Sequence, residues 1–348
     1  MSTLSTHTPI RNQQAMQPGK RLCAATFVVV AWWAASAQAQ SQVSVLGPEQ
    51  PLPTVPQQDF LSIQGERAVV AFLPGGLDRA HHLLRRLDNL GASFRRWRKD
   101  LVVPLAAYVV DREQWGKIEL PGLYGLPLRT GPTSIFVPAN GDGEAIRMWR
   151  SALGVGTLPM VPGVPVTGSP EEAAVLALSD VLTQFEASRG FVIGAGLVGQ
   201  DGWMQEVAAH TAALVVFDQT EPQRRAEIVD LFRRLRERMG GKRRHDDRHF
   251  THGLLNGGEE EVQAWLWYQG VFFEAANILV TKDGKRAVPR LLKMAQKGGG
   301  LQRAELFERY VGLPAWHQNW FAEPGDDPLD SVSNRSRGSQ ASQGSLNE

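Results

Sequence analysis

The sequence predicts an α+β protein: a small N-terminal β-sheet lobe with one or two helices, followed by a mainly helical lobe. Three observations carry this expectation. In the first half, apolar residues fall in short alternating or continuous runs punctuated by Gly and Pro, as strands require. From Pro170 onward they recur at helical spacing in long stretches. Ser169-Pro170-Glu171-Glu172 marks the changeover as a helix start, with a capping Ser, Pro at the first position and acids in the first turn.

The elements follow in chain order. Lys20-Arg21, the apolar run Leu22 to Trp33 and the small-residue stretch Ala34 to Ala39 have the order of a secretory signal peptide over residues 1–39. Cleavage after Ala37-Gln38-Ala39 makes Gln40 the first mature residue. The apolar run is shorter than the roughly 20 residues that span a bilayer. The expectation is therefore a periplasmic or secreted protein with no stable membrane insertion once the signal is removed. Cys23, the single cysteine, lies inside that signal, so the mature chain is expected to carry no disulfide. With 37 Lys and Arg against 36 Asp and Glu, nothing global points to nucleic acid as a partner.

Residues 40–58 are rich in Pro, Gln and Ser and read as a linker. The sheet lobe is placed at 59–165. Phe60 to Ile63 and Ala68 to Leu73 read as strands around the turn Gln64-Gly65-Glu66, and Leu101 to Val110 and Ser134 to Val137 read as two more. Leu77 to Leu90 reads as a helix with His81, His82, Arg85 and Arg86 largely on its outer side. The helical lobe is placed at 166–325, with helices at 170–189, 201–217, 222–239, 259–282 and 285–296. The tail at 326–348 is Ser, Asn, Gln and Gly rich, and is expected to be disordered.

Two of these helices carry residues at the spacing of a metallopeptidase site. The first reads Phe185-Glu186-Ala187-Ser188-Arg189 and the second Trp203-Met204-Gln205-Glu206-Val207-Ala208-Ala209. Arg189 and Glu206 are 206 minus 189, or 17, positions apart. This pattern resembles the gluzincins, in which H-E-x-x-H sets two histidines on one helix face around a metal and a second helix adds a glutamate. Tyr268-Gln269-Gly270 is similar to the segment that carries a transition-state tyrosine in several gluzincins. The resemblance covers roughly residues 60 to 310 and implies a zincin-like fold.

Phe185 and Arg189 stand where the resemblance puts the two histidines. Phe cannot ligate a metal and Arg stays protonated, so zinc is expected to be lost and no cofactor to replace it. Arg189 follows Glu186 by three residues on one helix face, and on this reading its guanidinium bridges Glu186 and Glu206 in the metal's place. The function expected is an exported, non-catalytic metallopeptidase-like protein that binds a peptide or protein partner. The alternative is a hydrolase with a site remodelled around Glu186, Glu206, His210 and Tyr268. His210 shares a helix face with Glu206, though beside apolar Ala and Val neighbours such a residue is more often a core histidine satisfied by one hydrogen bond.

Other signals point elsewhere. Gly194-Ala195-Gly196-Leu197-Val198-Gly199 is a G-x-G-x-x-G, and Asp218 follows Gly194 by 218 minus 194, or 24, residues, as in a dinucleotide-binding unit. An oxidoreductase built on Gly194, Gly196 and Gly199 needs a strand ahead of the motif and several after it, whereas residues 222 to 296 read as helices. His245, His249 and His252 have metal-ligand spacing but sit among arginines, which favours a solvated loop. Arg95-Arg96-Trp97-Arg98-Lys99 reads as a solvated helix end, or as a grip for phosphates or an acidic peptide. Trp265, Trp267, Phe272 and Phe273 read as core. No G-x-S-x-G, C-x-x-C or Walker loop occurs.

Overall fold

The computed structural model describes residues 60–197, 202–239, 259–295 and 300–313, apart from loop positions 102, 104, 121, 132, 133, 157 and 159–167. The expected signal peptide, linker, three-histidine loop and C-terminal tail lie outside the described residues.

Five strands form one mixed sheet: β1 (Leu61–Gln64), β2 (Ala68–Phe72), β3 (Leu105–Val110), β4 (Leu128–Arg129) and β5 (Ser134–Pro138), in the order β1-β2-β3-β5-β4. The inner pairs β2–β3 and β3–β5 are parallel, and both edge strands run antiparallel to their neighbours. Parallel pairing needs a crossover, and helix α1 (Leu77–Trp97) supplies it between β2 and β3. Alternation sets the buried face: Ala68, Val70 and Phe72 are buried while Val69 and Ala71 are half-buried. The Asp88 carboxylate of α1 accepts the backbone N–H groups of Glu66 (3.1 Å) and Arg67 (2.8 Å), tying the β1–β2 turn to this helix.

Helix α1 runs seven residues past the expected end at Leu90 (97 minus 90), and β3 starts at Leu105 rather than Leu101. Two short helices were not legible as such: α2 (Arg112–Lys117), capped by Asp111, and α3 (Gly143–Leu153), capped by Asp142 and closed by Gly154 in the left-handed region. The expectation that His82 and Arg86 face outward is wrong. Both are buried, and they turn toward an acid on another helix.

The helical part comprises α4 (Pro170–Gly194), α5 (Gly202–Thr220), α6 (Arg225–Met239), α7 (Glu259–Asp283), α8 (Ala287–Ala295) and α9 (Gly300–Val311). The capping box foreseen at Ser169 and Glu172 is present. Every residue of α4 from Ala173 to Ile193 is buried, so this helix is enclosed on all sides. It packs against α1, α5, β4 and β5, while α6 and α7 pack on each other and α7 on α5. At Gly270 in α7 a Cβ would lie 2.9 Å from the Phe232 carbonyl oxygen of α6, so only glycine permits that approach. One continuous cluster of buried side chains runs from the sheet through the helices. Among the described residues no helix is long and apolar enough to cross a membrane.

Candidate functional site

An all-round buried helix leaves its own polar side chains no water, so each needs a partner from a neighbouring element. On α4 these are Asp180, Glu186 and Arg189 above all.

Arg189 lies between two carboxylates. Its Nη1 donates to both oxygens of Glu186, at 2.8 and 2.6 Å, and its Nη2 donates to Oε2 of Glu206 on α5. Arg129, from the edge strand β4, completes a quartet. Its Nε lies 3.5 Å from Oε2 of Glu186, and its Nη1 donates to the Gly131 carbonyl at 2.9 Å. Glu186 and Glu206 are almost fully buried, at 1% and 2% exposure, and Arg189 is at 8%. Two guanidinium groups thus face two carboxylates, and the formal charge balances.

The electrostatics follow from this enclosure. Burial pushes the Glu206 carboxyl above the usual carboxylate range, and the Glu186 charge adds to that push while Arg189 opposes it. Arg189 is held well above the usual guanidinium range by Glu186 and Glu206 in spite of its burial. Burial and the Arg189 charge lower Arg129, with Glu186 and Glu206 countering.

Phe185 and His210 meet one turn along α4 from Arg189. Their ring centroids are 4.1 Å apart, and Phe185 also packs on Phe232 (5.5 Å) and Phe273 (6.0 Å). His210 Nδ1 lies 2.8 Å from the Glu206 carbonyl oxygen, one turn back, and so donates to it. Burial drives this imidazole down to about 3, and the Arg189 charge acts in the same direction. It therefore stays neutral at physiological pH. Tyr268, fully buried on α7, packs edge-on against Trp267 (4.8 Å) and over Phe272 (6.1 Å), whose ring lies 6.0 Å from His210.

The folding chain thus brings together Phe185, Glu186, Arg189, Glu206 and His210, and sets Tyr268 in the adjoining aromatic layer. The resemblance noted in the sequence implies zinc here, and the residues present do not fit it. The Arg189 guanidinium occupies the space between the two carboxylates, a phenyl ring stands where the resemblance would put the first ligand, and a second cation stands at Arg129. Among the described residues no three His, Cys, Asp or Glu side chains are grouped so as to hold a metal ion. Hydrolysis would need water and substrate at Glu186, Glu206, His210 and Tyr268, which are between 0% and 2% exposed. As placed, these groups meet neither unless the helices separate.

The dinucleotide reading fails on its local context. Phe191, Val192 and Ile193, which would form the strand ahead of the motif, belong to α4, and Gly194 is that helix's last residue. Asp218 lies on α5 and accepts from Arg225 at 2.8 Å. Gly199 lies outside the described residues.

A second charged cluster escaped the sequence reading. Asp180, fully buried on α4, takes Arg79 Nη2 at 2.5 Å, His82 Nε2 at 3.0 Å and Arg86 Nε at 4.0 Å, all from α1. The Arg79 and Arg86 charges, with the His82 contact, hold its carboxyl well below the usual range despite burial. Arg86 continues to Glu221 at 3.0 Å, and Glu221 also takes Arg224. One signal was available: an aspartate in the middle of an otherwise apolar helical run needs a cation from another element.

A surface concavity of about 590 Å³ lies elsewhere, between α6 and α7, and is lined by Arg225, Val229, Asp230, Arg233 and Asn277. Its arginines are already engaged, Arg225 by Asp218, Asn277 and Thr281, and Arg233 by Asp230. No protein-family model matches the chain, and no curated protein or solved structure is significantly similar to it.

Proposed function

We propose that this chain is an exported, non-catalytic metallopeptidase-like protein that works by binding a peptide or protein partner, with its former metal position converted into a guanidinium clasp between two helices. The observation that carries the reading is the placement of Arg189. Its fixed fork of donors spans Glu186 on α4 and Glu206 on α5, the two carboxylates that the gluzincin resemblance assigns to catalysis and to metal ligation. A dication and a guanidinium meet the same electrostatic demand there, because either one balances carboxylates that cannot stay charged unpaired in the core. The sealing of these groups supports a binding role expressed on the outer surface rather than at the old site.

The test restores the ligands. In the double variant Phe185→His and Arg189→His, both imidazoles would project toward Glu206, and His210 lies beside position 185. Zinc retained stoichiometrically by that variant, and absent from the natural protein measured in parallel, is the expected result. A folded double variant that binds no zinc would remove the metallopeptidase-like reading. Stoichiometric zinc in the natural protein would remove the non-catalytic one.

A further inference from the structure

We propose that the acidic run from Glu323 to Asp330 docks intramolecularly on the outer face of α1. Along that face His81, Arg85, Asn89, Ala92 and Arg96 recur at intervals of four, four, three and four residues, which makes one straight stripe of about four turns, and Lys99 follows in the turn just past the helix end at Trp97. All but the half-buried Ala92 are exposed, and Arg95 lies exposed beside them. Among the described residues no carboxylate pairs with Arg85, Arg95, Arg96 or Lys99. Arg96 donates instead to Ser93 Oγ at 2.7 Å and Gln219 Oε1 at 3.3 Å. The acids of α1 do not serve the stripe: Asp78 lies at its start, and Asp88 is taken up by the β1–β2 turn.

Elsewhere on the surface Arg112, Arg150, Arg225, Arg233 and Arg290 each hold a carboxylate, and cations without one among the described residues, such as Arg238 and Arg309, do not line up along a helix face as Arg85 and Arg96 do. The helix dipole accounts for cations in the last turn of α1, but not for Arg85 in its middle. Arginines on one face that no described carboxylate pairs with offer a surface for an elongated anionic segment.

The chain itself contains one. Glu323, Asp326, Asp327 and Asp330 fall within eight residues that include no Lys or Arg. Reach is sufficient. Phe307 of α9 meets Trp203 at the start of α5, at 5.3 Å between rings, and Gln219 near the end of α5 bonds Arg96 of the stripe. The separation along α5 is 219 minus 203, or 16 residues, which is roughly 24 Å. The ten residues from Leu313 to Glu323 can extend over roughly 33 to 36 Å. Tethering raises the local concentration of the acidic run to the order of millimolar, so pairs that are individually weak in trans prevail in cis. This assignment is independent of the metallopeptidase-like reading, since it uses neither the clasp nor its helices' ancestry.

Lys99 makes the contact measurable, because it is an amine at the end of the stripe, in the turn that follows α1. Zero-length carbodiimide cross-linking of the full mature chain at low ionic strength, read by mass spectrometry, should join Lys99 to Asp326 or Asp327 within a monomer. The cross-link should fall at least several-fold in high salt, and likewise in the surface variant Arg85→Glu with Arg96→Glu, whose fold is checked by circular dichroism. Absence of the link in the natural chain would overturn the proposal, as would its persistence in the charge-reversed variant. So would equal binding of phosphatidylglycerol vesicles by the full chain and by a chain ending at Ala322, which would assign the stripe to an anionic membrane. Weaker vesicle binding by the full chain is the supporting outcome.

Discussion

Helix α4 carries two knots of buried charge, nine residues apart, and they are balanced in opposite senses. At Asp180 a single carboxylate serves Arg79, His82 and Arg86 of α1. At Arg189 a single guanidinium serves Glu186 and Glu206, with Arg129 alongside. The difference lies in what remains when the central group is lost. A stranded carboxylate can take up a proton and become neutral, but a guanidinium cannot lose one in a protein. In the Asp180 knot Arg79 thus has no means of relief, although Arg86 keeps Glu221, whereas the Arg189 knot has one that depends on pH.

The largest effect is accordingly expected at Asp180. Asp180→Asn keeps the volume and strands the buried Arg79, while Arg86 keeps Glu221, which should cost roughly 3 to 5 kcal/mol in a urea melt. A loss under about 1 kcal/mol would show that Arg79 reaches water, and would erase the contrast with the second knot.

Arg189→Ala should cost a similar roughly 3 to 5 kcal/mol near neutral pH, but its deficit should shrink in acid. The sign follows from Glu206, whose folded carboxyl already lies above the usual range. In that window the folded state binds the proton more readily than the unfolded chain, so stability rises as pH falls. Melts of Arg189→Ala, Glu206→Gln and the double variant at two pH values measure the coupling. Additive costs that do not change with pH would break the clasp.

His210 sharpens the comparison in the other direction. Its folded imidazole is pushed down to about 3 from 6.5, so the unfolded chain binds the proton first as pH falls. Stability fully present above about pH 6.5 is then lost on the way to about pH 3, by up to about 1.4 kcal/mol per pH unit. Glu206 opposes this slope, and His210→Phe, which keeps a ring against Phe185, should flatten it. An unchanged acid slope in that variant would show that His210 is not the group responsible.

The smallest effect belongs to the surface. Arg233 pairs with Asp230 and Glu237 along α6, with both ends of these pairs well exposed. Arg233→Ala should cost under about 1 kcal/mol and lose even that in high salt. A larger cost would mean that charge burial is not what separates the α4 knots from ordinary pairs.

Much of the architecture is local, and so was legible. Apolar periodicity and the Ser169 cap placed α4 through α7 to within a few residues, because helical spacing and capping are written in adjacent side chains. A small sheet ahead of a helical body was readable for the same reason, but its mixed strand pairing was not. The two-residue strand β4 and the short helices α2 and α3 were not, since elements that brief carry little periodicity and depend on what they pack against. The bridge from Arg189 to Glu206 came within reach only through a family pattern that supplied the second helix as a neighbour.

By itself, then, the sequence determined which stretches coil and which extend, and that Glu186 and Arg189 share a face three residues apart. Tertiary structure alone decided that α4 is enclosed on every side, that His82 and Arg86 turn inward to Asp180, and that Arg129 arrives from an edge strand to join the clasp. The physical reason is range. Helix propensity and capping act over a few adjacent residues, whereas the cost of a buried charge depends on whichever element, however distant in the chain, is packed against it.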